Sequence, residues 1–429
     1  MKPIFYNLLA LFSAGLNLLN SFLAWHLFGA SSAADIWLLS IATIAAFNVL
    51  ALLGVEQFLY CYVDERTRGQ QQADDFAKTV LLWSLLSGLV FSIGCALLMP
   101  FIVRMFAGGL EAQAQARLAV LMLSMLPQTA AAPCLHVVRQ LLNAHGQYAR
   151  AYLLVMWAPA VLLVAQLAGM LLGWPLENLA WVVGAGALLQ VGLCLQLARQ
   201  WWRSGRRLAN PVLALRGFIL KSVSMRSAHA LHNFLSVAII GSVLSTLSAG
   251  SLSIFLYAKR IAEGVSSISV GPHVNIYHAK LAQSWSEFNR GASLQAARSY
   301  LKHVLPLFLL GVGLAWFLLP QVLLMTSSLA SPASIDSMML SFLLISVWNL
   351  IIIIESVFVA VLTTAHRAVI FGLVNGLFIV SFYTLTSLHL GISAAIQLPI
   401  GASIAQCVSL ALFASVAYRL FNRHFEERP

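Results

Sequence analysis

The stretch "MKPIFYNLLALFSAGLNLLNSFLAWHLFG", residues 1–29, carries one lysine and then an apolar run long enough to cross a bilayer as a helix. A signal-peptide core is shorter, so we interpret the run as a first transmembrane helix, with a cleaved signal as the alternative. Similar runs recur along the whole sequence. Only helices and closed barrels satisfy their backbone groups in lipid, and the alternation typical of a barrel is absent. The sequence therefore predicts an all-α polytopic membrane protein.

The composition supports this prediction. Of 429 residues, 60% are hydrophobic and 9% are charged, and the mean hydropathy is +0.86. A soluble domain cannot bury that much apolar surface. The net charge of +11 could indicate a nucleic-acid partner, but most of the positive charge falls in loops on one side of the predicted membrane. We therefore expect no nucleic-acid partner.

Twelve membrane spans are predicted from the apolar runs. They cover residues 4–29, 36–63, 79–106, 118–142, 150–173, 176–200, 217–246, 251–280, 299–325, 337–364, 367–389 and 391–420. Lysine and arginine concentrate in the two tails and the even-numbered loops, whereas the other side holds only Arg104 and Arg117. The positive-inside rule then predicts that both termini are cytoplasmic.

The spans are predicted to form two lobes of six helices, at residues 1–200 and 217–420. A basic linker at 201–216 joins them and is expected to lie on the anionic inner leaflet, and residues 421–429 form a cytoplasmic tail. The stretches "LLNAHGQYARAYLL" (141–154) and "VLTTAHRAVIFGL" (361–373) each lead into the last two spans of a lobe. This weak echo indicates a parallel repeat, and transporters place their substrate path between such halves.

Span 8 contains the most unusual charges, in "IFLYAKRIAEGVSSISVG" (254–271). Ionisable groups at membrane depth usually face a cavity or a partner. Arg260 and Glu263 are three residues apart and share a helix face, so they could form a structural ion pair that neutralises itself. Lys259 and Arg226, the latter from span 7, leave an excess of positive charge. The pattern favours a water-filled cationic cavity for an anionic head group, since arginine binds phosphate bidentately.

Other charged residues lie inside the predicted spans. Arg139 and Lys221 lie near cytoplasmic ends, where long side chains commonly extend to the interface. Glu56 and Glu355 are isolated acids. Each could bind a coupling ion, H⁺ or Na⁺, and each could equally be a protonated packing residue. The sequence predicts no cofactor and no metal site, and it has no P-loop or metalloprotease motif, so we expect a transporter rather than an enzyme.

Three stretches resemble the MurJ/MviN lipid II flippase family of the multidrug/oligosaccharidyl-lipid/polysaccharide (MOP) exporter superfamily. They are "HLFGASSAADIWLLSI" (26–41), "QLLNAHGQYARAYLL" (140–154) and "FLYAKRIAEGVSSISVGPHVN" (255–275). The resemblance implies two six-helix lobes around a central cationic cavity that opens alternately to each side.

The resemblance also implies particular site residues. Arg260 and Glu263 match the family motif in span 8, where Lys259 replaces an acidic residue, and Asp35 matches after the "FGA" turn. Asn20, with Ala14 and Asn48, stands where the family has arginines used in transport, and the chain ends after twelve spans where relatives often have fourteen. These departures favour a polyprenyl-linked glycan other than lipid II.

The predicted function is therefore a flippase of a bacterial inner membrane that moves a polyprenyl-diphosphate-linked saccharide by alternating access. The saccharide could be a lipid II-like precursor or an exopolysaccharide or O-antigen repeat unit, and its synthesis enzymes and membrane lipids are the expected partners. The predicted substrate site comprises Arg260, Lys259, Arg226, Glu263, Asn20 and Asp35. Two alternatives are an ion-coupled multidrug or small-molecule antiporter of the same superfamily and a non-transporting scaffold for polysaccharide synthesis.

Overall fold

A computed structural model describes residues 2–206, 211–326, 332–365, 368–388 and 394–426. Within these ranges the chain forms α-helices joined by short turns, with one 3₁₀ turn and no strand. The helices are α1 Lys2–Phe28, α2 Ser32–Ala51, α3 Phe58–Arg68, α4 Gln70–Leu97, α5 Met99–Ala107, α6 Ala112–Ala144, α7 Tyr148–Leu172, α8 Leu176–Leu197, α9 Arg199–Ser204, α10 Pro211–Leu244, α11 Ser251–Ser286, α12 Arg290–Thr326, α13 Pro332–Thr364, α14 Ala368–Ser387 and α15 Ala394–Glu426.

Ten helical segments of the described residues are long and apolar enough to cross a membrane, so the chain is a multi-pass membrane protein. They match ten of the twelve predicted spans. The other two predicted spans coincide with α11, whose charges lower its hydropathy, and with α14, where the apolar helix Gly372–Ser387 is shorter. The count of twelve spans and the cytoplasmic placement of both termini remain predictions.

By its contacts the chain divides into two compact units. Unit 1 comprises residues 1–9 and 36–246, and unit 2 comprises residues 10–35 and 247–429. These units differ from the predicted lobes 1–200 and 217–420, because most of α1 groups with α11 and because α10 groups with the helices that precede it. The division into lobes with a linker at 201–216 stays a prediction.

In unit 1, helix α6 packs closely against α4 and α8 because glycines allow the backbones to approach. A Cβ on Gly88 of α4 would lie 2.2 Å from the carbonyl oxygen of Ala130, and one on Gly184 of α8 would lie 2.1 Å from that of Ser124. Small residues commonly allow such close approach between membrane helices. Part of the hydrophobic core of this unit lies at its predicted cytoplasmic end and includes Phe58, Tyr62, Phe76, Val137, Leu141 and Trp201.

The first residues of the predicted linker are attached to α4. Ser204 Oγ donates to Asp74 Oδ2 at 2.8 Å, the Arg206 N–H donates to Asp75 Oδ1 at 2.6 Å, and Lys78 Nζ donates to the Gly205 carbonyl at 2.8 Å. Side chains of α4 thus hold residues 204–206 against the protein, and the placement of the linker on the inner leaflet stays a prediction. Residues 207–210 lie outside the described part of the chain.

Unit 2 is built around α13, which packs against α11 and α15. Tyr277 of α11 donates its phenolic hydrogen to the Val357 carbonyl of α13 at 3.0 Å. At the end of α15, the imidazole of His424 stacks on Trp285 with a ring-centroid separation of 4.0 Å, and its Nε2 lies 2.9 Å from the Trp285 carbonyl. These contacts join the C-terminal helix to α11.

Candidate functional site

The charged stretch of span 8 lies in the first half of α11, within unit 2. Lys259 Nζ donates a hydrogen bond to Glu263 Oε1, one helical turn further along. The structure therefore pairs Glu263 with Lys259, whereas an ion pair between Glu263 and Arg260 was one of the alternatives that the sequence left open. A four-residue spacing lets the flexible lysine stem lie along the helix and reach the carboxylate. The pair leaves Arg260 as the uncompensated charge of the stretch.

Arg260 is partly buried, and among the described residues its guanidinium has no hydrogen-bond or ion-pair partner. Tyr257 and Glu263 lie within electrostatic range of it. A guanidinium carries five N–H donors in a planar fork that matches a phosphate or carboxylate. Arg260 is therefore positioned to bind an anionic group.

Arg260 lies on the face of α11 that meets α1. Near the start of this contact, Trp25 and Tyr257 pack edge to face with ring centroids 5.2 Å apart. Seven residues further along α11, a Cβ on Gly264 would lie 2.6 Å from the side chain of Leu18. Leu18 also lies seven residues from Trp25, so the two helices run antiparallel along this contact. Arg260 falls between its two ends.

Two more donors lie in this contact. The Trp25 indole N–H and the Tyr257 hydroxyl are buried and have no hydrogen-bond partner among the described residues. Leaving such groups unpaired costs about 1–3 kcal/mol each. Sequence reasoning missed both residues, because an aromatic residue in an apolar span predicts packing. Asn20, also predicted for the site, is buried in α1 with 1% of its side chain exposed.

Asp35 anchors the start of α11. Its Oδ2 accepts from the Gly250 N–H at 2.7 Å and its Oδ1 accepts from the Ser253 N–H at 2.6 Å. Carboxylates stabilise helix N-termini by accepting from backbone N–H groups that have no helical partner. Since the backbone engages both of its oxygens, Asp35 holds α11 in place, and its predicted contact with substrate stays a prediction. Arg226 lies on α10 in unit 1, and its side chain is outside the described residues.

The two isolated acids occupy separate environments. Glu355 of α13 is 8% exposed and accepts from Gln406 Nε2 of α15 at 2.7 Å, while Gln406 Oε1 accepts from Trp348 Nε1 at 3.1 Å. Glu56 belongs to unit 1, where its Oε2 lies 4.0 Å from His136 Nε2. The structure thus gives each acid polar partners that sequence spacing could not predict.

No protein-family model and no curated protein sequence matches the chain. Solved structures do match over nearly its whole length. The lipid II flippase MurJ in an inward closed conformation is similar with a TM-score of 0.74 and 14% identity, covering 99% of this chain and 90% of that chain.

Structures of a multidrug resistance MATE family transporter of the MOP superfamily are also similar. The outward-facing conformation gives a TM-score of 0.72 at 13% identity, over 99% of this chain and 96% of that chain. The inward-facing conformation gives a TM-score of 0.66 at 15% identity, over 97% of this chain and 94% of that chain. The chain thus has the fold that MurJ and the MATE transporter share. The predicted resemblance is confirmed at the level of the fold.

Proposed function

We propose that the protein is a transporter that moves a polyprenyl-diphosphate-linked saccharide across a bacterial inner membrane by alternating access. The guanidinium of Arg260, which has no hydrogen-bond or ion-pair partner within the described ranges, carries this proposal. A diphosphate is dianionic and rich in acceptors, and arginine holds phosphate oxygens through two parallel N–H···O bonds.

The neighbours of Arg260 support an acceptor-rich ligand. In the part of the chain that the structure describes, Trp25 Nε1 and Tyr257 Oη are donors without partners, and both gain a partner if α1 and α11 separate around a head group. An interaction made only when the ligand is bound contributes its full hydrogen-bond energy to binding, on the order of 1 kcal/mol per neutral donor. Lys259 and Glu263 neutralise each other and leave the specificity to Arg260.

Lipid binding tests the proposal. Wild type and Arg260→Ala are purified in mild detergent, and native mass spectra are recorded with a polyprenyl-diphosphate saccharide and with an ordinary anionic phospholipid. We expect the wild type to retain the diphosphate lipid in preference, and Arg260→Ala to lose that preference by about 10-fold or more, the loss of a charge-assisted hydrogen bond.

Arg298→Ala is the matched control, since Arg298 is an exposed arginine of α12 in the same unit. It removes the same charge and should keep the preference. Equal retention of both lipids by the wild type would contradict the proposal.

The buried acid Glu355 favours a second candidate, an ion-coupled antiporter for small cations. A carboxylate held by one neutral glutamine partner could bind an incoming cation or proton. This candidate predicts that Glu355→Gln abolishes cation-driven uptake of a fluorescent organic cation by proteoliposomes, while Arg260→Ala leaves that uptake intact.

A further inference from the structure

Helices α11 and α12 form an antiparallel hairpin within unit 2. Ser284 Oγ and Ser293 Oγ lie 2.7 Å apart near the turn of this hairpin. About two turns further along, the rings of Tyr277 and Tyr300 stack with their centroids 4.9 Å apart. The two contacts share one register, so side chains one turn beyond the tyrosines are expected to meet as well.

Helix α13 holds the tyrosine pair in place. The Tyr277 hydroxyl donates to the Val357 carbonyl at 3.0 Å, and Tyr300 Oη lies 3.1 Å from Ser356 Oγ. Both tyrosines are buried. Binding sites are most precise when packed, rigid elements carry their side chains. This part of the hairpin is therefore suited to hold a pair of ligating groups.

Two histidines occupy the next positions of the hairpin. The ring centroids of His273 in α11 and His303 in α12 are 5.7 Å apart, and the ring planes are 22° from parallel. His273 is half-buried and His303 is exposed. His303 Nδ1 lies 2.6 Å from the Ser299 carbonyl oxygen, and no other hydrogen bond or ion pair reaches either imidazole from the described residues. The pair thus has ring nitrogens available to a ligand.

The contact with Ser299 fixes the tautomer of His303. A carbonyl oxygen only accepts, so Nδ1 carries the hydrogen and donates it, and the lone pair of the neutral imidazole is on Nε2. Metal-binding histidines commonly donate their other ring N–H to a backbone carbonyl, which orients the ring and raises its basicity as a ligand. His303 therefore already has the supporting hydrogen bond of a metal ligand.

The donor set indicates which ions fit. Imidazole nitrogen suits Zn²⁺, Cu²⁺ and Ni²⁺, whereas Mg²⁺ and Ca²⁺ prefer oxygen ligands. Among the described residues, no third histidine, cysteine or acid completes a cluster with this pair, so water is left for the remaining coordination positions. Both histidines lie towards the predicted cytoplasmic ends of their spans, where water and ions have access.

The spacing of the two rings is compatible with a shared ion. Metal–nitrogen bonds are about 2.0–2.1 Å long, so two nitrogens on one ion lie about 3–4 Å apart. The χ2 torsion of histidine is broad, and the His273 ring has no hydrogen bond to lose within the described ranges. A rotation of that ring can therefore bring one of its nitrogens to this distance from His303 Nε2.

We propose that His273 and His303 bind a divalent transition-metal ion of the nitrogen-preferring class, and that the ion joins α11 to α12. His303 coordinates through Nε2, His273 supplies one ring nitrogen, and water fills the remaining positions. The bound ion restrains the hairpin towards its predicted cytoplasmic end. This site goes beyond the proposed function, since it includes neither Arg260 nor the donors beside it.

The proposal is tested with Cu²⁺ and the full chain in mild detergent, purified without a histidine tag. The chain carries Cys407→Ser, because Cys407 is exposed and thiolates also bind copper. Electron paramagnetic resonance should show hyperfine splitting from two imidazole nitrogens. His273→Ala and His303→Ala should each weaken Cu²⁺ binding about 10-fold or more, because losing a ligand is at least as severe as losing its supporting hydrogen bond.

His278→Ala is the matched control, since it removes an exposed histidine from the same helix. It should keep both the affinity and the two-nitrogen spectrum. A wild-type spectrum with a single nitrogen would overturn the proposal, even where a variant fails to fold. An affinity that His273→Ala and His303→Ala leave unchanged, or that His278→Ala lowers equally, would overturn it too.

Thermal unfolding tests whether the ion joins the two helices. An ion that binds only the folded hairpin raises the unfolding midpoint as its concentration rises. Zn²⁺ should therefore raise the midpoint of the wild type and of His278→Ala, and not that of His273→Ala or His303→Ala, while Mg²⁺ should leave all four unchanged. An equal Zn²⁺ effect in all four proteins would contradict a site that depends on this pair.

Discussion

At the scale of single residues, the structure shows which charged side chains of span 8 pair with each other, whereas the sequence shows only that they lie close together. The sequence predicts an excess of positive charge in span 8, and the structure pairs Lys259 with Glu263 in that stretch. The sequence could not predict that Lys259, rather than Arg260, pairs with Glu263, because three- and four-residue spacings both place side chains on one helix face. It also gave no sign that Tyr257 and Trp25 bury donors without a partner in the described ranges, since a donor's partner is decided by helices distant in sequence.

Removing the Tyr257 hydroxyl should therefore leave the free energy of unfolding unchanged or increase it. Tyr257→Phe removes a buried donor that has no partner among the residues described, whereas Tyr277→Phe breaks the bond to the Val357 carbonyl and should cost about 1 kcal/mol. Thermal unfolding of both variants in the same detergent checks this. A lower midpoint for Tyr257→Phe than for Tyr277→Phe would show that the Tyr257 hydroxyl is bonded.

At the scale of helices, most element boundaries could be predicted from hydropathy, and the breaks could not. Residues 36–63 form one apolar run, yet they contain the turn at Leu52–Gly54 and the start of α3. Hydropathy averaged over a window does not respond to this break, because the apolar residues around Glu56 and Gln57 keep the mean high. The close packing of α6 against α4 and α8 could not be predicted either, since glycines are common in membrane spans whether or not a neighbouring backbone contacts them.

Two glycines of α8 should respond differently to alanine. A Cβ at Gly184 meets the Ser124 carbonyl at 2.1 Å, and one at Gly192 meets nothing within 4 Å. Gly184→Ala should push α8 away from α6 and destabilise the protein by about 1–3 kcal/mol. Gly192→Ala should be neutral or slightly stabilising. Comparing their unfolding midpoints tests the packing, and equal midpoints would count against it.

The turn between α6 and α7 should make stability depend on pH. Burial, and then the nearby charge of Arg66, lower the pKa of His145, whose Nε2 lies 2.9 Å from the Tyr62 hydroxyl. The folded state thus disfavours the imidazolium. The contribution of neutral His145 to the free energy of unfolding is fully present above the unfolded-state pKa of about 6.5. It is lost progressively as the pH falls below that value.

The measurement is thermal unfolding at about pH 7.5 and about pH 5.5, on either side of that value. The wild-type midpoint should fall at the lower pH, and His145→Asn should reduce the fall. An identical pH response in both proteins would remove His145 as its source.

At the scale of the whole molecule, hydropathy and charge asymmetry were enough to predict a multi-pass helical membrane protein, and local motifs were enough to suggest the fold. The grouping of helices was harder to predict. Sequence order favours consecutive lobes, whereas most of α1 and the start of α2 group with α11 in unit 2. That grouping depends on contacts such as Asp35 with Gly250, between residues more than two hundred positions apart.

The predicted topology can be tested with single cysteines in a chain whose five native cysteines are replaced. Ser204→Cys lies in the predicted cytoplasmic linker and Ala112→Cys on the predicted outer side, and both positions are exposed. A membrane-impermeant maleimide added to intact cells should label Ala112→Cys and not Ser204→Cys, because the positive-inside rule places the basic linker in the cytoplasm. The reverse pattern would invert the topology.

The bonds from Asp35 to the first turn of α11 also bear on biogenesis. During synthesis the membrane receives α1 and Asp35 long before residues 250–253 leave the ribosome. The Gly250 and Ser253 N–H groups at the start of α11 therefore lack their acceptor until α11 packs against Asp35, which has already been inserted. Two fragments cut within residues 201–216 would then behave as complementary halves: the second would acquire its native helix start only when co-expressed with the first.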